Sequence, residues 1–206
     1  MSDVTARSSW VRRAIALEYF SLAWMLAEGA ASMWAGVAAH SLSLEVFGLD
    51  SLIELISAGV VLWWLRVEMA APSSQRGEEA ERRAAYVVAG CLLALALYIV
   101  AGVIQSLATR DVPRPGPLGF VVSITAIIVM PVLWRHKRRL GAALGSDALE
   151  EDGVGNLACG WMALILLGGL LLERQGVWWA DPLASMALGV FIAREGVEAW
   201  ERARGA

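Results

Sequence analysis

Six long apolar stretches occupy most of this 206-residue chain and leave little of it for soluble structure. A helix needs roughly 20 apolar residues to cross a hydrocarbon layer about 30 Å thick, and each stretch is close to that length or longer. The chain is 58% hydrophobic and only 18% charged, whereas soluble domains use roughly 45–50% apolar residues. We therefore predict an all-α polytopic membrane protein with six transmembrane helices in a single domain. The predicted spans cover about residues 14–38, 42–66, 84–108, 117–135, 152–172 and 179–198.

The basic residues give the predicted orientation. Of the 17 lysines and arginines, 14 lie at the two chain ends, between the second and third spans, or between the fourth and fifth spans. Because Lys and Arg are enriched in cytoplasmic loops, both termini are predicted to be cytoplasmic. The first span is too long for a cleavable signal peptide and is interrupted by Glu18 and Glu28. We expect an integral protein of a bacterial inner (plasma) membrane, in contact with the lipid bilayer.

The connections carry turn-forming residues rather than binding motifs. "DVPRPGP" (111–117) is predicted to form an outer loop, because its prolines cannot continue a helix. "RGEEAERR" (76–83) alternates acids and bases, which favours a solvated loop, and no basic run points to a nucleic-acid partner. In "WWADP" (178–182), Asp181 is predicted to cap the sixth helix, with Pro182 at the first helical position.

Two carboxylates stand where an apolar environment penalises charge most. In "FGLDSLIELISA" (47–58), Asp50 and Glu54 lie four residues apart, so on a helix both side chains point in the same direction. Glu54 falls near the middle of the second span, where an acid costs on the order of 2.5–3.5 kcal/mol. Such acids must face the bundle interior or a water-filled cavity, and they need a cation, a proton or a hydrogen-bond donor.

The fifth span carries a second row of metal-ligand atoms. In "SDALEEDGVGNLACGWMALILLGG" (146–169), Asp152, Asn156 and Cys159 recur at i, i+4 and i+7 and so form one helical stripe. A zinc-like divalent cation accepts carboxylate, amide and thiolate ligands, commonly four of them, whereas magnesium prefers oxygen alone. The predicted metal site, between the second and fifth helices, consists of Asp50, Glu54, Asp152, Asn156 and Cys159.

Each of these residues also has a structural interpretation. Asp50 and Glu54 are alternatively an interhelical hydrogen-bonding pair, and a lone Cys159 is more often a small buried hydrophobe than a ligand. Asp152 is alternatively an interfacial acid or a cap, and Asn156 a bond to a neighbouring helix. Glu28, midway along the first span, is a candidate for handling protons beside the site.

Two segments together resemble a known transporter family. "SLSLEVFGLDSLIEL" (41–55) and "SDALEEDGVGNLACGWMALILLGGLLLERQGVWWADPLASMALGVFIAREGVEAW" (146–200) are similar to the cation diffusion facilitator superfamily, specifically its short branch that has the membrane domain alone. The resemblance covers residues 14–200. It implies a six-helix domain that exports zinc and related divalent ions from the cytoplasm in exchange for protons, as a homodimer. The metal is then the transported substrate, and no prosthetic group is implied.

The resemblance also implies where the ligands lie. One ligand pair maps onto Asp50 and Glu54, and the other onto positions 155 and 159. Cys159 stands where most members of the superfamily have Asp, and Gly155 has no side chain, which leaves Asp152 and the neighbouring Asn156 to compensate. About eight residues follow the last predicted span, so the usual cytoplasmic C-terminal metal-binding domain is not expected.

Two functions of other classes stay open at this point. A proton-coupled exporter of small organic cations would use the same acids, with some of the ten tryptophans lining a cation–π pocket. A non-transporting membrane partner protein is suggested by Gly155 and by the C-terminal metal-binding domain that is not expected here. An enzyme is not expected, because the sequence has no HExxH motif and only two histidines.

Overall fold

The computed structural model describes residues 2–70, 75–110 and 113–205, and over those residues it contains helices and no strand. The predicted all-α class is therefore confirmed. The helices are α1 (Ser2–Ala39), α2 (Leu42–Ala70), α3 (Gln75–Thr109), α4 (Pro117–Leu144), α5 (Asp147–Arg174) and α6 (Ala180–Gly205). Each of the six predicted spans falls on one of these helices.

Four of the helices are long and apolar enough to cross a membrane, as judged over the described residues. The crossing segments are Leu42–Trp63, Tyr86–Thr109, Pro117–Leu144 and Leu149–Arg174. Together with the helical fold, they make the chain a polytopic membrane protein. Membrane crossing by α1 and α6, and the cytoplasmic location of both termini, stay predictions.

The ends of α4 and α5 follow turn chemistry. Residues 111–112 lie outside the described part of the chain, and α4 begins at Pro117, where the missing N–H group costs nothing. Gly145 ends α4 in the left-handed conformation that favours glycine, with φ of 65°. Ser146 then caps α5, because its hydroxyl oxygen accepts a hydrogen bond from the Leu149 N–H at 3.3 Å.

Two helices extend beyond their predicted spans. The backbone of residues 76–83 belongs to α3, so the prediction of a loop there was wrong. Charged residues such as Glu and Arg have good helix propensity, and alternating acids and bases do not interrupt a helix. α4 likewise continues past residue 135 to Leu144, and this extension carries Lys137 into the protein interior.

Asp181 caps α2 rather than its own helix, so the prediction for this residue was wrong. α6 already begins at Ala180, which places Asp181 in its first turn. The Asp181 carboxylate accepts hydrogen bonds from the hydroxyls of Ser41 and Ser43, both at 2.7 Å, and from the N–H groups of Leu42 at 2.9 Å and Ser43 at 3.0 Å. The first amides of a helix lack intrahelical partners and carry partial positive charge, which the carboxylate neutralises.

Close backbone contacts set the position of α2. α1 packs along α2, α4 along α5 and α3 along α6, and α2 also contacts both α5 and α6. A Cβ atom at Gly36 would lie 2.7 Å from the Glu45 amide nitrogen, and one at Gly48 would lie 2.9 Å from the Met33 amide nitrogen. Glycine is therefore required for α1 and α2 to approach this closely. The remaining surface of α2 contacts α3, α5 and α6.

Candidate metal centre

α2 and α5 bring three ligand-type side chains together. Asp50 and Glu54 lie one turn apart on α2, and Cys159 lies on α5. One oxygen of each carboxylate and the cysteine sulfur all lie within 4.8 Å of one another. Two ligands bound tetrahedrally to the same zinc ion lie roughly 3.4–3.6 Å apart, given Zn–O bonds near 2.1 Å and Zn–S bonds near 2.3 Å. Small side-chain movements are therefore enough for this cluster to close around one ion.

The cluster is buried and its carboxylates are poorly satisfied. Asp50 is 1% exposed and Cys159 is fully buried, while Glu54 is half-buried. Among the described residues, neither oxygen of Asp50 has a hydrogen-bond partner, and Glu54 Oε2 has none. Burying a polar group without a partner costs several kcal/mol, and burying an unpaired charge costs far more. Protons or a cation must therefore neutralise these carboxylates, because the surrounding side chains do not.

Two further acids surround the cluster from other helices. Glu28 of α1 is 5% exposed, and over the described part of the chain both its oxygens lack hydrogen-bond partners. Glu28 and Glu195, which is on α6, lie close enough to Asp50, Glu54 and Cys159 for their charges to interact. Four helices thus direct acidic or thiol groups at one buried region, and this concentration of negative charge attracts cations.

Asp152 lies in a different polar group, with an internal cation. Its carboxylate forms an ion pair with Lys137 of α4, whose ammonium nitrogen also lies 3.2 Å from Glu18 Oε2 on α1. The side chains of Lys137 and Glu18 are fully buried, and that of Asp152 is 5% exposed. We call Glu18, Lys137 and Asp152 the ion trio. Because Lys137 already neutralises Asp152, its role as a metal ligand stays a prediction.

Asn156 is fully buried, one turn after Asp152 on α5. Its side-chain oxygen and nitrogen have no hydrogen-bond partner among the residues that the structure describes. The amide is therefore available to a ligand, and its predicted role is neither confirmed nor contradicted. At Gly155, a Cβ atom would lie 3.8 Å from Glu54 Oε1 and 4.0 Å from Glu195 Oε1, so this position borders the cluster directly.

Sequence reasoning missed Lys137 and Glu195. Counting charges groups Lys137 with the basic residues of a cytoplasmic connection, although it is the only lysine beside 16 arginines, which is a signal in itself. Glu195 lies inside the sixth predicted span, where an acid is as costly as in the second span. The sequence shows this acid, but only the packing of α6 places Glu195 near Glu54.

Comparisons with known proteins identify one family and several relatives. The family model for the cation efflux transmembrane domain matches residues 19–203. Transmembrane protein 163 of Xenopus laevis is 28% identical over 189 residues, which is 91% of this chain and 66% of that protein. The manganese efflux system protein MneS of Bacillus subtilis is 20% identical over 184 residues, 88% of this chain and 62% of that protein.

A shorter match is to the cation-efflux pump FieF of Shewanella oneidensis, which is 31% identical over 78 residues, 38% of this chain and 26% of that protein. The chain thus spans less than two thirds of the length of each of these relatives.

Proposed function

The chain belongs to the cation efflux family, and on that basis we propose that it exports a zinc-like divalent cation from the cytoplasm through the cluster of Asp50, Glu54 and Cys159. Its membership of a transporter family and its apolar helices support cation transport across a membrane. The proposal also includes zinc as the metal and protons as the counter-ion. It further includes a homodimer as the assembly and a bacterial inner membrane as the location.

One observation carries the proposal: three ligand-type atoms from two helices meet within 4.8 Å in the protein interior. With small side-chain movements, these atoms can converge on one bare ion. The Asp50 carboxylate has no hydrogen-bond partner among the described residues, so a permanent structural role for it would leave a large desolvation cost without compensation.

The donor set favours a borderline metal. Two carboxylates and one thiolate match zinc or cadmium better than magnesium or calcium, which select oxygen ligands. Manganese is named for the relative from Bacillus subtilis, and a hard ion of that kind would gain little from the sulfur of Cys159. We therefore place zinc first for this chain.

Transport then follows from competition between metal and protons for the same atoms. Metal binding from the cytoplasm neutralises Asp50 and Glu54, and α2 and α5 rock so that the site opens outwards. Incoming protons displace the metal by occupying its carboxylate ligands, since a ligand must be deprotonated to bind. The buried carboxylates return to the inward-open state as neutral acids, which avoids carrying unpaired charge through the bundle.

Zinc flux into proteoliposomes tests the proposal. The double variant Asp50→Asn, Glu54→Gln keeps the side-chain shapes and removes both charges, so we expect loss of flux. Glu45→Gln is the matched control, because Glu45 is also on α2 but bonds the Tyr98 hydroxyl at 2.9 Å, away from the cluster. Zinc flux in the double variant equal to that of the unsubstituted protein would exclude the proposed mechanism.

A further inference from the structure

We propose that Glu195 of α6 is the fourth ligand of the metal centre and occupies the space left open by the missing side chain of Gly155. This inference rests on the proposed function, since it completes the same site. A structural zinc-type ion commonly has four protein ligands, whereas α2 and α5 supply three in the cluster of Asp50, Glu54 and Cys159. A side chain that borders this cluster can supply the remaining donor.

Gly155 of α5 lies beside a carboxylate of α2 and a carboxylate of α6. A Cβ atom placed there would lie in ordinary contact with Glu54 Oε1 at 3.8 Å and with Glu195 Oε1 at 4.0 Å. Two carboxylate oxygens from different helices are therefore directed at the same small space, and α5 contributes no side chain between them. With any larger residue at 155, that side chain would stand between the two carboxylates.

The charge of Glu195 reaches every member of the cluster. It lies within electrostatic range of Asp50, Glu54 and Cys159. Asp50 is itself an independent sign of a ligand, because it is 1% exposed and its two oxygens lack partners among the described residues. A further carboxylate at such a place is costly unless protons or a multivalent cation neutralise it. The proposed site thus holds one divalent ion with three carboxylates and one thiolate.

Glu195 also connects the buried cluster with a cavity. A cavity of about 270 Å³ lies between α5 and α6, and Gly155, Ala158 and Glu195 form part of its wall together with Glu151 and Glu198. Glu195 is half-buried, whereas Asp50 is almost fully enclosed. A cation that arrives through this cavity therefore meets the Glu195 carboxylate before Asp50, and Gly155 places no side chain between Glu195 and Glu54.

Zinc affinity of the purified full chain in detergent, measured by calorimetry, tests this assignment. Glu195→Gln removes the ligand charge at constant shape, and we expect affinity to fall by at least the roughly 10- to 100-fold seen when an outer partner of a metal site is lost. Glu198→Gln is the matched control, because Glu198 is on the same helix and cavity wall but pairs with Arg194 at 2.7 Å. We expect its affinity to stay within about twofold of the unsubstituted protein, since an exposed pair contributes little.

A rescue experiment distinguishes a ligand from a general effect of charge. Adding Gly155→Asp to the Glu195→Gln variant brings a carboxylate to the cluster from α5, at a position where a Cβ atom has ordinary contacts of 3.8 and 4.0 Å. We expect it to restore most of the affinity. Glu195→Asp keeps the charge but shortens the side chain by one methylene group, so we expect an intermediate affinity. Melting temperatures without zinc show that each variant is folded.

The outcomes separate this inference from the proposed function. If Glu195→Gln binds zinc as tightly as the unsubstituted protein, while Asp50→Asn with Glu54→Gln abolishes binding, Glu195 is not a ligand and the proposed site stands. Equal losses in Glu195→Gln and Glu198→Gln would also overturn the assignment, because they indicate a diffuse electrostatic effect. If the unsubstituted protein binds no zinc, the proposed function fails and this inference fails with it.

Discussion

The ion trio gives the sharpest test of the structure, through the substitution Lys137→Met. Methionine preserves the length of the lysine side chain and its apolar contacts but removes the ammonium group. Glu18 and Asp152 then remain without their cation, at side-chain exposures of 0% and 5%. The trio would lose its one positive charge in a part of the bundle where all three side chains are buried.

The expected cost follows from these contacts. Removing one partner of a buried ion pair typically destabilises a protein by about 3–5 kcal/mol, because an uncompensated charge is left behind. A change of 1 kcal/mol shifts the melting temperature of a chain this size by roughly 2–4 °C, so we expect a fall of about 6–20 °C. Tryptophan fluorescence during heating in detergent is a suitable readout, since the chain has ten tryptophans.

Two matched variants complete this test. Arg139→Met removes a basic residue that is exposed on the same helix, so its expected effect is within about 0.5 kcal/mol. Adding Glu18→Gln and Asp152→Asn to Lys137→Met makes the trio neutral and should recover most of the stability. The reasoning is refuted if Lys137→Met and Arg139→Met lower the melting temperature equally. Zinc affinity of Asp152→Asn alone, measured alongside, decides whether Asp152 also acts as a ligand.

Two further predictions concern the metal centre and the helix cap. Zinc affinity should fall as pH falls, by about tenfold per pH unit for each proton displaced, because protons bind the same carboxylate and thiolate atoms; calorimetry between pH 6 and pH 8 measures this, and a constant affinity would contradict shared binding atoms. Asp181→Ala should destabilise the protein by about 2–4 kcal/mol, since four hydrogen bonds to the start of α2 are lost. Asp181→Asn can keep the oxygen that accepts three of the four bonds, so equal destabilisation by both variants would argue against the cap.

Local physics explains what could be predicted at the candidate site. Asp50 and Glu54 share one helical face because residues four apart always do, and Cys159 is found beside them in the folded bundle. The spacing also places Asp152 and Asn156 on the same face of α5 as Cys159. One helical face, however, can contact more than one neighbouring helix. In the structure Asp152 contacts Lys137 of α4, while Cys159 faces α2.

The sequence by itself determined that this chain is a helical membrane protein, which six segments form the cores of its helices, and that two acids on the second helix share one face. These properties depend on the length of apolar segments and on the helical repeat, both of which are local. Only the tertiary structure decided that Lys137 neutralises Asp152, that Asp181 caps α2, and that Glu195 approaches Gly155. Those contacts depend on the rotation and depth of one helix against another, and close packing at residues such as Gly36 and Gly48 fixes both.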